Sequence, residues 1–391
     1  MGGATCAFGF SGEHKDGRLN VVLTPERTAQ YQAAVEFAAH QLRHFLADPP
    51  AELPLFTRNG KWWHASEAWT QWCDGFWGGQ FWILHRFTND PWWRDQAVHH
   101  CRRIEHRKHD RAVHDLGFLF WPTWKRWYDA EGGETVRRVV IEAGRTLALR
   151  YREKGRYLHS FLAEDSLFID ILMNAGIIFY AAEQTGDQTM WSKALEHAFT
   201  TRRCLVRGDG STAHEGIFDP DTGAFLRQST QQGWRSDSCW ARGLAWALYG
   251  YGTVYRFTRD LRFLATAEII ASYYMEHTPA HGIPPNDWDE PSPALPHESS
   301  AGAIAACGLL DLSELTIDGR KADRYKRYAM TILDTLTGPE FLAAATPGWE
   351  GIMKHGIYHS LKGLGVDEST AWGDYFLLEA LERVLCHETV G

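Results

Sequence analysis

The sequence lacks long apolar runs: among its 391 residues no stretch reaches the roughly 18 uncharged apolar residues that indicate a membrane-spanning helix. The N-terminal residues also lack a basic segment followed by a long apolar one, which argues against a secretory leader. We therefore predict a cytoplasmic protein with no membrane partner. A periplasmic protein whose leader had been removed would carry the same sequence.

Paired cysteines are lacking as well. The seven cysteines are odd in number and scattered, with no CxxC pair. This pattern indicates neither a disulfide framework nor a zinc site. A P-loop and a dinucleotide-binding fingerprint are also missing from the sequence, so we expect no metal and no cofactor.

Positive charge is not in excess, because 40 Lys and Arg stand against 49 Asp and Glu, for a formal net charge of −9. Nucleic-acid binding needs clustered basic residues. The basic run at residues 102–111 is short and broken by acidic residues, which is typical of a solvated helix end. We expect no nucleic-acid partner, and both a monomer and a homodimer remain open.

Helical periodicity is abundant, whereas period-two strands bounded by turn residues are scarce. The pattern predicts about twelve helices, paired as hairpins by short links that carry turn or N-cap residues. The helices are expected at residues 26–46, 77–88, 91–107, 114–130, 133–152, 166–184, 187–203, 239–257, 260–277, 299–316, 320–337 and 371–386.

Six such hairpins closing on themselves give an all-α (α/α)6 barrel, a toroid whose inner helices line a funnel and whose long loops surround its mouth. A linear solenoid is the alternative, but the sequence shows no repeat of fixed period. No composition break divides the chain. We predict an N-terminal extension over residues 1–25 and a single catalytic domain over residues 26–391.

Tryptophan is unusually frequent, with 18 residues. Most should lie in the core, but sugar rings have an apolar face that packs on aromatic rings, so tryptophans in Gly- and Asp-rich loops suggest carbohydrate binding. Trp72 stands in such a loop, before an Asp-Gly turn. We interpret it as either a sugar platform or a lid over the core.

Two carboxylates are the leading candidates for chemistry. Asp115 stands where a helix is predicted to begin, which favours its charge, and a helix N-cap is the structural alternative. Asp170 is predicted to lie inside an apolar helix, where partial desolvation would raise its pKa towards that of a useful general acid. A core aspartate bonded to neighbouring hydroxyl or amide groups is the alternative for Asp170.

A further cluster lies within residues 214–246. His214, Gln232, Trp240 and Arg242 are expected to gather at one mouth, where Gln and Arg would bind a carboxylate-bearing sugar and Trp would stack beneath its ring. The structural alternatives are a core role for Trp240 and a pairing of Arg242 with a structural acid.

Seven segments, in chain order, resemble the unsaturated glucuronyl hydrolases of glycoside hydrolase family 88. They are WCDGFWGG, HDLGF, IDILMN, HEGIFDPDTG, QGWRSDSCWARGLAWALYG, SSAGAIAACGLLDLS and WGDYFLLEAL, and together they extend over about residues 30–386. The resemblance implies an (α/α)6 barrel. It also implies release of a 4,5-unsaturated glucuronic acid from the non-reducing end of a lyase-generated oligosaccharide, beginning with hydration of the C4=C5 enol ether.

The resemblance assigns roles to the candidates. Asp170 would protonate C4 and draw a proton from the water that adds at C5, while nearby Asp115 would tune its protonation. The residues matching substrate-binding positions are Trp72, His214, Gln232, Trp240, Arg242 and, more weakly, Tyr358.

The C-terminal loop departs from the family pattern. Some members that accept sulfated sugars carry two serines and a lysine there; Ser360 and Lys362 match, whereas Ile357 stands at the first serine position. Leu244 replaces a usual glutamine, and HESSAGAI stands where DSSAAAI is typical. These departures affect the rim that meets the second sugar, so substrate preference is the open question.

Two competing functions remain. A hydrolase of the same fold with another specificity would act on an unsaturated rhamnogalacturonide or a saturated glucuronide. A non-catalytic carbohydrate-binding protein would keep Trp72, Trp240 and Arg242 but would not need Asp170.

Overall fold

The computed structural model describes residues 23–63, 71–291 and 297–387, so nearly all of the predicted N-terminal extension lies outside the described residues. Most of the described residues lie in helices. In order they are α1 (Pro25–Ala47), α2 (Asp74–Thr88), α3 (Pro91–Ile104), α4 (Leu116–Phe120), α5 (Arg126–Glu131), α6 (Glu134–Ala148), α7 (Ile171–Asn174), α8 (Gly176–Thr185), α9 (Gln188–Leu205), α10 (Ala241–Thr258), α11 (Leu261–His277), α12 (Ser299–Leu315), α13 (Gly319–Leu336) and α14 (Ala371–His387).

The helices form two concentric rings. In the inner ring α2, α4–α5, α7–α8, α10, α12 and α14 each pack against the next, and α14 closes the ring on α2. Inner helices such as α10 and α12 are buried at nearly every position, which explains their uniformly apolar, Gly- and Ala-rich sequences. The outer helices α3 and α13 bury one stripe and expose the rest, as amphipathic helices do. The predicted (α/α)6 barrel is confirmed.

Aspartates begin four of the outer helices after short links. Asp90, Asp187, Asp260 and Asp318 are the N-cap residues of α3, α9, α11 and α13, and each side chain accepts a hydrogen bond from a backbone N–H of the first turn. Such caps satisfy amides that otherwise have no partner in the helix. They explain why the predicted hairpin links are sharp and why the helix starts were readable from sequence.

Short strands lie in the connections between helices, in addition to the elements that periodicity predicted. They are β1 (Thr57–Arg58), β2 (Lys61–Trp62), β3 (Tyr151–Arg152), β4 (Tyr157–Leu158), β5 (Ser166–Phe168), β6 (Glu215–Phe218), β7 (Phe225–Ser229), β8 (Gly356–His359) and β9 (Leu364–Glu368). The hairpin β6–β7 lies between the helices predicted at 187–203 and 239–257, and β8–β9 lies between those predicted at 320–337 and 371–386.

The helix predicted at residues 166–184 is wrong in its first turn. Residues 166–168 form β5, which pairs antiparallel with β6, and Asp170 stands at the N-cap position of α7 instead of inside a helix. All three residues of β5 are buried, so the strand lacks the alternation that separates a strand from a buried helix.

Two further helix predictions are corrected. The helix predicted at 133–152 ends at Ala148, because β3 and β4 form a hairpin immediately after it. The helix predicted at 114–130 is interrupted by a π-helical turn, Trp121–Lys125. Pro122 within that turn has no N–H to donate, which accounts for the irregularity.

A close contact between α4 and α7 joins the two segments that carry Asp115 and Asp170. A Cβ on Gly117 would lie 2.6 Å from the Cα and 2.7 Å from the Oδ1 of Asn174. The Asn174 Oδ1 accepts a hydrogen bond from Phe118 N at 2.8 Å. Only glycine allows the two segments to approach this closely.

Gly117→Ala should therefore destabilise the protein by about 2 kcal/mol, since the added methyl group forces backbone apart in a packed interior. Urea unfolding followed by circular dichroism measures the loss. Gly319→Ala is the matched control, because a Cβ there meets no atom within 4 Å. Equal unfolding free energies for the two variants would show that the contact does not limit packing.

Candidate active site

The N-terminal ends of the inner helices surround a cleft of about 720 Å³, counting the solvent space at its mouth. Its walls combine aromatic rings with a few polar groups, as is typical of sites for small ligands. The lining residues are Trp72, His114, Asp115, Phe161, Leu162, Phe168, Asp170, Gln231, Gln232, Trp240, Arg242, Trp246, Tyr358, His359 and Lys362.

Most of the residues predicted from the sequence meet in this cleft, although they come from segments far apart in the chain. The two that do not line it are His214 and Ser360. The ring of His214 packs behind that of Trp240, with 4.6 Å between centroids. Ser360 begins a single 3-10 turn that ends at Lys362. The predicted residues that line the cleft are Trp72, Asp115, Asp170, Gln232, Trp240, Arg242, Tyr358 and Lys362.

Asp115 and Asp170 occupy equivalent places on neighbouring inner helices. Each stands at an N-cap position, and neither side chain makes a capping hydrogen bond, so the simple N-cap interpretation of Asp115 is not observed. Asn174 connects them, because its Nδ2 donates to Asp170 O at 3.2 Å and lies 3.5 Å from Asp115 Oδ1. Both carboxylates are thus left to face the cleft.

Burial raises the pKa values of both carboxyl groups. Desolvation raises the pKa of Asp170 to about 7, with the Arg242 charge opposing the rise and the Glu215 charge adding to it. Desolvation, and then the charge of Asp170, raise the pKa of Asp115 well above its ordinary value. Two such neighbours resist losing both protons, so the pair holds a transferable proton near neutral pH. Asp170 Oδ1 has no hydrogen-bond partner among the described residues.

Arg242 is held by the protein through its terminal nitrogens. Nη2 donates to Tyr358 O at 2.8 Å and Nη1 donates to Ile357 O, while Nη1 lies 3.5 Å from Glu298 Oε2. The guanidinium carbon lies 4.5 Å from the ring centroid of Trp240. The predicted alternative, pairing with a structural acid, is thus observed. Within the described residues Nε makes no hydrogen bond, and the side chain lines the cleft.

Two residues shape the turn at the start of the 231–240 segment. His214 Nδ1 accepts a hydrogen bond from Gln231 N at 3.1 Å, and burial lowers the pKa of His214 to about 3, so its ring is neutral. The Gln232 side chain donates from Nε2 to Tyr358 O at 2.9 Å. Gln232 therefore ties this turn to β8, and His214 supports it from behind.

Several lining residues were missed by sequence reasoning. Phe161 and Leu162 form an apolar lip in the link between β4 and β5, and 47% of Leu162 is exposed. An apolar pair in a short polar link was the available signal for them. His114 directly precedes Asp115, but nothing in the sequence showed that its ring turns towards the cleft. The other missed residues are Phe168, Gln231, Trp246 and His359.

In the described ranges no group of three or more His, Cys, Asp or Glu side chains is placed to hold a metal ion. None of the helices there is long and apolar enough to cross a membrane. The chemical resources of the cleft are accordingly a carboxylate pair, buried neutral histidines, an arginine and several aromatic faces.

Comparison with known proteins places this architecture in a family. Residues 64–261 match Glycosyl Hydrolase Family 88. The chain is 34% identical to the unsaturated glucuronyl hydrolase of Bacillus sp. (strain GL1) over 81% of this chain and 86% of that protein. It is 32% identical to the unsaturated chondroitin disaccharide hydrolase of Streptococcus pneumoniae over 80% of this chain and 82% of that protein.

A solved structure shares the whole arrangement. The crystal structure of an unsaturated glucuronyl hydrolase specific for heparin superimposes with a TM-score of 0.86 at 28% identity, covering 92% of this chain and 98% of that one. With relatives above 30% identity aligned over four-fifths of its length, the chain belongs to glycosyl hydrolase family 88 and is a glycoside hydrolase.

Proposed function

We propose that the protein releases 4,5-unsaturated glucuronic acid from the non-reducing end of lyase-generated disaccharides of the glycosaminoglycan type. The observation that carries the proposal is the pair Asp115 and Asp170, two buried carboxyl groups with raised pKa values in the wall of an aromatic cleft. Relatives named for unsaturated glucuronyl and chondroitin disaccharide substrates support the same substrate class.

The reaction begins with Asp170 in its acid form, which donates its proton to C4 of the sugar. As the C4=C5 bond is consumed, positive charge develops on C5 and the ring oxygen. A water molecule adds at C5 and returns a proton to the Asp170 carboxylate, so the enzyme regains its starting state. The product is a hemiketal at C5. Breaking its bond between C5 and the ring oxygen opens the ring, and the resulting hemiacetal at C1 releases the second sugar as an alcohol.

The cleft suits an anionic sugar. The inner helices α2, α4, α7, α10, α12 and α14 all begin at this end of the ring, and helix N-termini carry partial positive charge. Arg242 adds a full positive charge buried in the wall. The ring of Trp72 lies 4.9 Å from that of Trp372 and supplies a flat apolar face for the sugar ring.

Hydrolysis of a saturated glucuronide is the competing function. A conventional glycosidase uses one carboxyl as acid and a second across the scissile bond as base or nucleophile. Here Asp115 and Asp170 both lie within 4 Å of one nitrogen, the Nε2 of His114, at 3.4 and 3.7 Å. A pair arranged in this way would also fit that reaction, so the preference for an unsaturated substrate rests on the relatives named for such substrates.

An absorbance assay decides between these functions. Unsaturated disaccharides from chondroitin, hyaluronan and heparin absorb in the ultraviolet through the conjugated enol ether, and hydration removes that absorbance. We expect the signal to decay with at least one member of the panel, while a saturated glucuronide is left intact. Cleavage of the saturated glucuronide, with persistence of the ultraviolet signal, would contradict the proposal.

Asp170→Asn should reduce turnover by about four orders of magnitude, because the amide keeps the shape of the side chain but has no proton to transfer. Substrate affinity and thermal unfolding should change little. Stopped-flow absorbance measures the rate, and isothermal calorimetry measures binding. A variant with near-wild-type turnover would remove Asp170 from the mechanism.

The pH profile should report the carboxylate pair. Since the acid form of Asp170 donates the proton, kcat/KM should fall as pH rises through about 7, the pKa that burial gives Asp170. In the singly ionised pair with the proton on Asp170, Asp115 carries the negative charge that opposes ionisation of Asp170; Asp115→Asn removes that charge, so the alkaline limb should move to lower pH. Rates across a pH series measure both. An alkaline limb that stays in place in Asp115→Asn would show that Asp115 does not tune the acid.

A further inference from the structure

His114 is a buried imidazole in the wall of the cleft. It is 2% exposed and stands immediately before Asp115. Its Nδ1 accepts a hydrogen bond from Phe161 N at 2.9 Å, so in the neutral ring the proton resides on Nε2. That Nε2 faces the carboxylate pair, 3.4 Å from Asp115 Oδ1 and 3.7 Å from Asp170 Oδ1.

We propose that His114 is a positioning residue whose neutral Nε2–H, within 4 Å of both carboxylates, biases which of them keeps its proton. The inference rests on the proposed role of Asp170 as the proton donor. At these distances the contacts are electrostatic; a movement of a few tenths of an ångström on substrate binding would convert one into a hydrogen bond.

The ring is fixed in orientation by its surroundings. The Phe161 amide specifies the tautomer, in the way that an outer hydrogen bond specifies which nitrogen of a functional histidine carries the proton. The aromatic rings of Phe161 and Phe168 pack on the imidazole, with centroids 5.4 and 5.7 Å away. His114 therefore joins the apolar lip of the cleft to the carboxylate pair.

Charge around His114 favours the neutral ring. Burial first, and then the positive charge of Arg150, lower the pKa of His114 well below its ordinary value. His159, His214 and His197 also act to lower it, while Asp115 and Asp170 are the acids that face it. The pKa values of the carboxylate pair also depend on nearby charges, those of Arg150, Arg107, Arg242 and Glu215.

A donor directed at the pair stabilises its ionised form. Removing that donor while keeping the acceptor for Phe161 N should raise the pH at which the pair loses its proton. His114→Asn does this, because the asparagine Oδ1 replaces Nδ1 and nothing replaces Nε2–H. His114→Gln does the reverse: its amide N–H reaches towards the pair.

His197 offers a matched control. It is fully buried, and its Nδ1 accepts from Leu158 N at 3.2 Å, in the same way that His114 accepts from Phe161 N. Its Nε2 meets no hydrogen-bond partner in the described part of the chain. His197→Asn therefore reproduces any general cost of losing a buried imidazole without removing a group that faces the carboxylates.

The test is an infrared titration of the carboxylic-acid band in the substrate-free protein, with Asp170→Asn identifying the signal. We expect the midpoint to rise by roughly half a pH unit to one unit in His114→Asn, to return towards the wild-type value in His114→Gln, and to stay unchanged in His197→Asn. In the kinetic assay, kcat should fall in His114→Asn with KM nearly unchanged, and the alkaline limb should move to higher pH.

An unshifted midpoint in His114→Asn, or an equal shift in His197→Asn, would overturn the proposal. A midpoint in His114→Gln that stays at the His114→Asn value would also overturn it, because ring packing would then be the cause. If His114→Asn does not fold, nitrogen NMR of the wild-type protein still tests the tautomer, and an Nδ1–H form would refute it. Because the titration needs no turnover, its outcome is independent of whether the unsaturated uronide is the substrate.

Discussion

The contact of α4 with α7 through Gly117 and Asn174 is the constraint on which the active site depends. Asn174 uses both ends of its amide: Oδ1 accepts from Phe118 N, and Nδ2 donates to Asp170 O. Because nothing larger than a hydrogen fits at Gly117, the helix starts that carry Asp115 and Asp170 are held side by side. Burial raises the pKa of both carboxyl groups, so the pair resists losing both protons.

The two ends of the inner ring differ in the charges that they carry. All of its helices begin at the cleft, where their partial positive charges favour anions, so the N-terminal position of Asp170 should by itself lower its pKa. Burial nevertheless raises that pKa to about 7. At the opposite end, where these helices finish, Glu379 and Glu382 are buried against Arg126 and Arg383. The arginines offset the charge of both buried acids at that end.

The fold could be predicted from the sequence wherever a helix has a capped start and one exposed face. The starts of α9 and α13 were predicted to within one residue, because Asp187 and Asp318 mark them. Asp170 could not be placed correctly, since β5 before it is buried on both sides and looks like the first turn of α7. The orientation of the His114 ring could not be predicted either, because it depends on the backbone amide of Phe161, 47 residues away in the chain.

Ile357, where the C-terminal loop departs from the family pattern, takes part in anchoring Arg242. Glu298 accepts hydrogen bonds from Ser300 N and Ala301 N at the start of α12 and from Ile357 N in β8, and it lies beside Arg242. The backbone N–H of Ile357 thus donates to Glu298, and its carbonyl oxygen accepts from Arg242. The side chain of Ile357 is fully buried. A side chain at this position faces the core instead of the cleft. Within the described part of this loop, the polar side chains that line the cleft are those of Tyr358, His359 and Lys362.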